Sequence, residues 1–320
     1  MEVARRVTFS EAAKRYIAAH SPTWQNLKHV AQWTATLETY ADPFIGSLPV
    51  AAVDTALVTK VLEPIWLTKT ETATRVRQRI ERVLDWATTQ KLREGENPAR
   101  WKGHLENLLA PPRKIPDAQV KHHAALPVAD LPQFMIDLRQ QAGIAARALE
   151  FAILTAARSG EVLGATWSEV DLENNLWTVP ANRMKAKKEH RVPLNVRARE
   201  LLFLMKKLGG DTGYIFPGSK EKRPLSDMSM TAVLRRMKVN AVPHGFRSTF
   251  KDWAAEKTTF ANELSEMALA HAIDSKVEAA YRRGDLFDKR RQLMHAWCDF
   301  AYVQSITTAA TVTPIYGRAA

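Results

Sequence analysis

Apolar residues recur at helical spacing along most of the chain. Val76, Ile80, Val83, Leu84 and Ala87 fall at steps of three and four and define one apolar face. Residues 10–20 and 24–40 also read as helices, with Thr8 or Ser10 placed to cap the first. Beyond residue 124, stretches 131–141, 145–157 and 196–208 read as helices, and 228–303 is almost wholly helical in pattern. Leu176-Trp177-Thr178-Val179 and Arg191-Val192-Pro193-Leu194 read as short strands instead, and Tyr214-Ile215-Phe216 as a further one. A polar, lysine-rich connection, 183–190, joins the first two strands as a hairpin.

Ala110-Pro111-Pro112-Arg113-Lys114-Ile115-Pro116 interrupts these patterns. Three prolines in six residues disfavour a helix and predict an extended linker. The predicted organisation is a helical domain over 1–110, a linker over 111–123 and an α-rich domain with a small antiparallel sheet over 124–320. The fold class is mainly α.

Charge narrows the partner. Lys and Arg total 46 against 34 Asp and Glu, a net +12, with a pI near 9.8. Residues 1–120 hold 17 basic and 13 acidic side chains, leaving +8 of the excess for the remainder. Both halves are basic, as expected of a protein whose partner is a polyanion. Arg75, Arg79 and Arg82 run beside the apolar face of their helix and could meet phosphates there. The other reading is a solvated face paired with Glu71, Glu81 and Asp85. The single cysteine, Cys298, excludes an internal disulfide and a zinc site built on several cysteines. No 18-residue apolar run or signal-peptide pattern occurs, so a cytoplasmic protein with no membrane partner is expected.

Four segments carry polar residues in apolar surroundings. Arg158 closes an apolar helix and precedes Ser159-Gly160-Glu161. Lys185, Lys187 and Lys188 lie near the tip of the predicted hairpin. In Pro243-His244-Gly245-Phe246-Arg247, the His and Arg three apart share one face at a helix start, where the helix end also favours anions. Leu269-Ala270-His271 is followed ten residues later by Tyr281 in Val277-Glu278-Ala279-Ala280-Tyr281-Arg282-Arg283. Each segment alone has an ordinary structural reading.

Together, in this order, the four segments resemble the active-site constellation of the tyrosine recombinases, or phage integrase family. The resemblance spans nearly the whole chain. Thr8-Phe9-Ser10-Glu11-Ala12-Ala13, Ile45-Gly46-Ser47-Leu48-Pro49-Val50 and Val83-Leu84-Asp85-Trp86-Ala87 are similar to the family's core-binding domain. Phe246-Arg247-Ser248-Thr249-Phe250-Lys251-Asp252-Trp253-Ala254 and Arg290-Arg291-Gln292-Leu293-Met294 resemble integrases of prophages and integrative genomic islands. That branch usually carries a further small N-terminal domain that binds arm-type sites. This chain begins almost directly at the core-binding helices, so either it is truncated or it works without arm sites.

The resemblance implies a site-specific recombinase that cuts and rejoins DNA through a 3′-phosphotyrosyl intermediate, integrating or excising a mobile element. Tyr281 would be the nucleophile and Arg158 and Arg247 a clamp on the phosphate. Lys185 would be the general acid, chosen over Lys187 and Lys188 by its distance to Val192-Pro193-Leu194. His244 and His271 would bond the phosphate or assist proton transfer, and Glu161 would orient its neighbours. Lys28, Arg75, Arg79, Arg82, Lys187 and Lys188 are the candidate DNA contacts. The implied partners are double-stranded attachment sites, three further copies of the chain on DNA, and accessory DNA-bending or excision factors. No cofactor is expected: the phosphotyrosine keeps the energy of the broken bond, and no Gly-x-x-x-x-Gly-Lys-Ser/Thr phosphate loop occurs. A catalytically silent DNA-binding regulator and a type IB topoisomerase are the competing readings.

Overall fold

The computed structural model describes residues 7–24, 27–115, 124–208, 213–220, 223–271 and 284–302. The chain forms two compact units, 1–120 and 121–320, each with its own apolar core.

The first unit is built on helices α1 (Phe9–His20), α2 (Leu27–Tyr40), α3 (Thr55–Trp66) and α4 (Thr70–Thr89). Thr8, rather than Ser10, caps α1. Its Oγ1 accepts the Glu11 N–H at 3.2 Å, and its own N–H donates to Glu11 Oε2 at 3.0 Å, so two orphan donors are satisfied at once. Ser10 instead packs against Gly46, where a Cβ would lie 2.7 Å from Ser10 Oγ. Only glycine lets that turn approach α1. Asp54 Oδ1 caps α3 by accepting the Leu57 N–H at 2.9 Å.

The apolar face of α4 enters the core as its periodicity predicts, and it takes two arginines with it. Arg79 is buried, donates to Gln32 O at 2.5 Å and lies 5.2 Å from the Trp33 ring centre. This corrects its reading as a DNA contact. The spacing 76-79-80-83 puts Arg79 inside the stripe, where its stem packs and its head finds a carbonyl and a ring. Arg77 is buried too, donating to Ala99 O at 2.7 Å and Glu81 Oε2 at 2.8 Å. Arg75 is exposed and paired with Glu71, while Arg82 is exposed. Lys28 lies in the first turn of α2, its side chain outside the described residues. The expected extended linker contains a tight 3-10 turn, Pro112–Lys114, because a proline's fixed φ suits the first position of a turn. Residues 116–123 lie outside the described residues.

The second unit runs α5 (Leu131–Gln140), α6 (Ile144–Thr155), α7 (Ser159–Leu163), β1 (Val170–Asp171), β2 (Leu176–Val179), β3 (His190–Pro193), α8 (Val196–Leu208), α9 (Ser229–Arg236), α10 (Gly245–Lys257), α11 (Asn262–Ala268) and α12 (Phe287–Tyr302). The strands form one antiparallel sheet in the order β1-β2-β3, with Trp177 opposite Val192 and Val179 opposite His190. Trp177 and Val179 face the core, alternating with half-buried Leu176 and Thr178.

Two details depart from the expected pattern. β1 was not anticipated; it exists because Asp171 Oδ1 closes a tight turn, accepting the N–H groups of Glu173 at 3.0 Å and Asn174 at 2.9 Å. Tyr214-Ile215-Phe216 is not a ladder strand. Tyr214 forms an isolated bridge to Thr166, and the apolar run reflects burial of Ile215 and Phe216.

The last described helix locks onto α6. Trp297 Nε1 donates to Ile153 O at 2.8 Å, and Tyr302 Oη donates to buried Glu150 at 2.5 Å. Arg147 also pairs with Glu150, at 2.9 Å. No helix among the described residues is long and apolar enough to cross a membrane.

Candidate active site

Two helix ends build the site. α6 ends at Thr155, and Ala156 turns the chain in the left-handed region at φ +51°. α11 ends in the same way: Ala270 has φ +48°, with the Ala270 N–H on Met267 O and the His271 N–H on Glu266 O, both at 3.0 Å. This closure ordinarily takes glycine. Each leaves carbonyls that an arginine uses. Arg247 Nη1 donates to Ala156 O, and its Nη2 donates to Leu269 O at 2.6 Å. Arg158 Nη2 donates to Ala270 O at 3.2 Å.

Arg158 does not close α6 as its sequence context suggested. Ala156 and Ala157 intervene, and Arg158 is the extended residue immediately before α7. Its N–H donates to Glu161 Oε2 and its Nη1 to Glu161 Oε1, both at 2.9 Å. Glu161 is buried, so one carboxylate holds both the backbone and the head of Arg158 in a dry setting.

Arg247 is 5% exposed. Burial, and then the neighbouring Arg158 charge, lower its pKa to about 10, which leaves it a cation at neutral pH. Its Nε is buried and has no hydrogen-bond partner among the described residues. His271 joins this pair: its Nε2 lies 3.3 Å from Arg247 Nη2, and its Nδ1 lies 2.6 Å from Glu266 Oε2. Two guanidiniums and an imidazole therefore meet where backbone carbonyls fix their heads, an arrangement suited to a single anion.

His244 lies one residue before α10 and is exposed, whereas Arg247 three residues on is buried. Between them Gly245 is required sterically. A Cβ there would sit 2.1 Å from Ala124 O, because the chain at 124–126 crosses this helix start, with Thr249 Oγ1 donating to Leu126 O at 2.6 Å.

Lys185, Lys187 and Lys188 lie exposed on the β2–β3 connection. Its root is fixed by Arg183, which donates to Glu161 O and to the Glu169 carboxylate. Gly164 leaves room, since a Cβ there would be 2.9 Å from Arg183 Nη2. The cluster of Arg158, Glu161, Arg247 and His271 is thus tied to the base of the hairpin. Lys185 itself is outside that hydrogen-bonded cluster. Tyr281 lies outside the described residues.

Sequence reading passed over His190, Lys251 and Glu266, whose local patterns were ordinary. His190 opens β3 and donates to Ala268 O; burial, and then the Arg290 charge, lower its pKa to about 4. Among the described residues no group of three or more His, Cys, Asp or Glu side chains is placed to hold a metal.

The fold and this cluster define a basic, two-unit helical protein in which two arginines and a histidine are gathered at the ends of two helices. Comparison with known proteins names the class. Residues 126–285 match the phage integrase family and residues 9–104 the phage integrase central domain. The integrase of Enterobacteria phage P4 is 27% identical over 314 residues, covering 92% of this chain and 69% of that protein. Prophage integrase IntA of Escherichia coli K12 is 29% identical, covering 86% and 67%. Among solved structures, a lambda integrase dimer bound to a core site superposes with a TM-score of 0.65 at 14% identity, covering 84% of this chain and 97% of that one. The Tn1549 transposon integrase in complex with circular intermediate DNA gives 0.60 at 15%, covering 90% and 99%. The chain belongs to the phage integrase family, the tyrosine recombinases. It is a site-specific recombinase, an enzyme that cuts and rejoins DNA.

Proposed function

We propose that this recombinase acts on double-stranded attachment sites of a mobile element, with Tyr281 as its nucleophile. The observation that carries this reading is the carbonyl-braced pair Arg158 and Arg247 with His271 against it. A free tyrosine has a pKa near 10, so about one in a thousand is ionised at neutral pH, a gap worth roughly 4 kcal/mol. The phosphodiester is itself an anion and repels a phenolate. Attack needs charge neutralised at the non-bridging oxygens, which the two guanidiniums supply in a partly dry pocket.

Tyr281 Oη attacks phosphorus, and the bond from phosphorus to the 5′-oxygen breaks. Lys185 protonates the leaving 5′-oxygen, and a 3′-phosphotyrosyl bond remains. His244 and His271 bond the phosphate or assist in moving the tyrosine proton. A 5′-hydroxyl from a partner duplex then attacks the phosphotyrosine and releases Tyr281. Four copies assemble on DNA for this exchange, with accessory bending or excision factors setting its direction, in the cytoplasm. Residues 1–110 clasp the core site, with Arg75, Arg82 and Lys28 among the phosphate contacts, and Lys187 and Lys188 add contacts from the hairpin.

Covalent trapping tests this. Nicked suicide duplexes carrying candidate attachment cores, incubated with the protein in EDTA, are expected to yield a protein–DNA adduct on a denaturing gel. Tyr281→Phe abolishes the adduct and leaves DNA affinity nearly unchanged. Tight, salt-sensitive binding without an adduct on any core would favour a silent DNA-binding role.

A further inference from the structure

His271 is held by more than the arginine beside it. Glu266, five residues earlier on α11, grips it twice: Glu266 O accepts the His271 N–H at 3.0 Å, and Glu266 Oε2 lies 2.6 Å from Nδ1. Behind it, Lys251 on α10 bonds the other carboxylate oxygen, Oε1, and donates to Ser265 Oγ at 2.9 Å and to Asn262 Oδ1. Lys251 and Arg247 are one turn apart on α10, so a single helix carries both the anion-binding arginine and the lysine that anchors Glu266. The chain of contacts is Lys251, Glu266, His271, Arg247.

The chemistry of these atoms fixes the imidazole's state. A carboxylate only accepts, so Nδ1 must be the donor in the 2.6 Å contact. A guanidinium only donates, so in the neutral ring Nε2 presents its lone pair toward Arg247 and the anion pocket. Burial pushes the Glu266 carboxyl up, but the hydrogen bonds from Lys251 and His271 outweigh it and hold Glu266 below its ordinary range. The carboxylate is thus present throughout the neutral range.

We propose that Glu266, anchored by Lys251, is a positioning residue for the recombination reaction: it sets the tautomer and ring orientation of His271 at the phosphate. The inference rests on the reading of His271 as part of the reaction site. The ring cannot be held by Arg247 alone, because one contact at 3.3 Å leaves it free to rotate about its own axis. The carboxylate supplies the second point.

Two measurements test this on the full chain. The first is side-chain nitrogen NMR of His271, read on the signals of the neutral ring. The wild type is expected to carry its proton on Nδ1, and Glu266→Ala to lose that preference. The second is single-turnover cleavage of the nicked duplex that gives the adduct. Glu266→Ala is expected to lower the rate about ten- to a hundredfold, the scale of losing the carboxylate that orients a histidine at a metal centre. Glu266→Gln, which keeps an accepting oxygen, should recover most of it. The double variant Glu266→Ala with His271→Ala should cleave no more slowly than His271→Ala alone, because Glu266 acts through the ring. An unchanged tautomer in Glu266→Ala, or rate losses that multiply in the double variant, would overturn the proposal. If His271→Ala cleaves at the wild-type rate, the assignment of His271 fails instead, and the NMR result still decides whether Glu266 sets the ring.

Discussion

His190 shows how much a single half-buried imidazole can couple stability to pH. Its pKa is lowered from 6.5 to about 4, chiefly by burial and then by the Arg290 charge. In the fold the ring stays neutral, while in the unfolded chain it titrates normally. The unfolded state therefore binds the proton first. The stabilising contribution is complete above pH 6.5, declines as pH falls from 6.5 to about 4, and is flat below that. Each unit of depression corresponds to about 1.4 kcal/mol. Denaturant unfolding at pH 7 and at pH 4.5 should show the wild type losing about 2–3 kcal/mol more than His190→Gln. Equal losses would mean that His190 is protonated in the fold. The same scale explains the misplaced Arg79. Its type and its neighbours suggested a phosphate contact, yet a single turn of α4 rotates it onto the Trp33 ring.

At the scale of elements, the informative feature is how helix ends are made. α6 and α11 both finish on a left-handed alanine, and both leave carbonyls that accept from the site arginines. The start of α10 is held differently, by a backbone crossing that leaves no space at Gly245. Gly245→Ala must push the 124–126 segment away or tilt α10, which carries Arg247. Overpacking of this kind costs about 1–3 kcal/mol. We expect a lower Tm together with a loss of suicide-substrate cleavage larger than the stability loss explains. A variant with wild-type Tm and cleavage would show that the crossing chain is free to yield. The spacing His-x-x-Arg was legible in the sequence, and so was its place at a helix start. The opposite burial of His244 and Arg247 was not, because it depends on the crossing segment.

At the scale of the molecule, charge is the dominant property. The net charge of +12 is shared by both halves, and DNA is the substrate of the family. A protein that neutralises six to ten phosphates loses about 10³–10⁵ in affinity between roughly 50 and 200 mM salt. Fluorescence anisotropy on a core duplex should show a loss of at least about three orders of magnitude over that range. A change below tenfold would mean that few phosphates are contacted and that the basic surface serves something else. Arg77 and Arg79 count toward the net charge but are consumed inside the first unit. The surface available to DNA is therefore smaller than composition suggests.

The sequence by itself determined the helical period, the basic character of both halves, the proline-rich break and the order Arg, Lys, His-x-x-Arg, His, Tyr. These are local or additive properties, and a linear chain carries them openly. Tertiary structure alone decided which polar groups meet. Glu266 and Lys251 are 15 residues apart on different helices, and nothing in the pattern of either helix marks them. His190 was an ordinary residue at the end of a lysine-rich connection until β3 brought it against α11. Arg158 looked like a helix end and became a helix start because Ala156 adopts a left-handed turn. Side chains whose role depends on a carbonyl or carboxylate from a distant segment leave no periodic trace, since their partners are chosen by packing rather than by spacing.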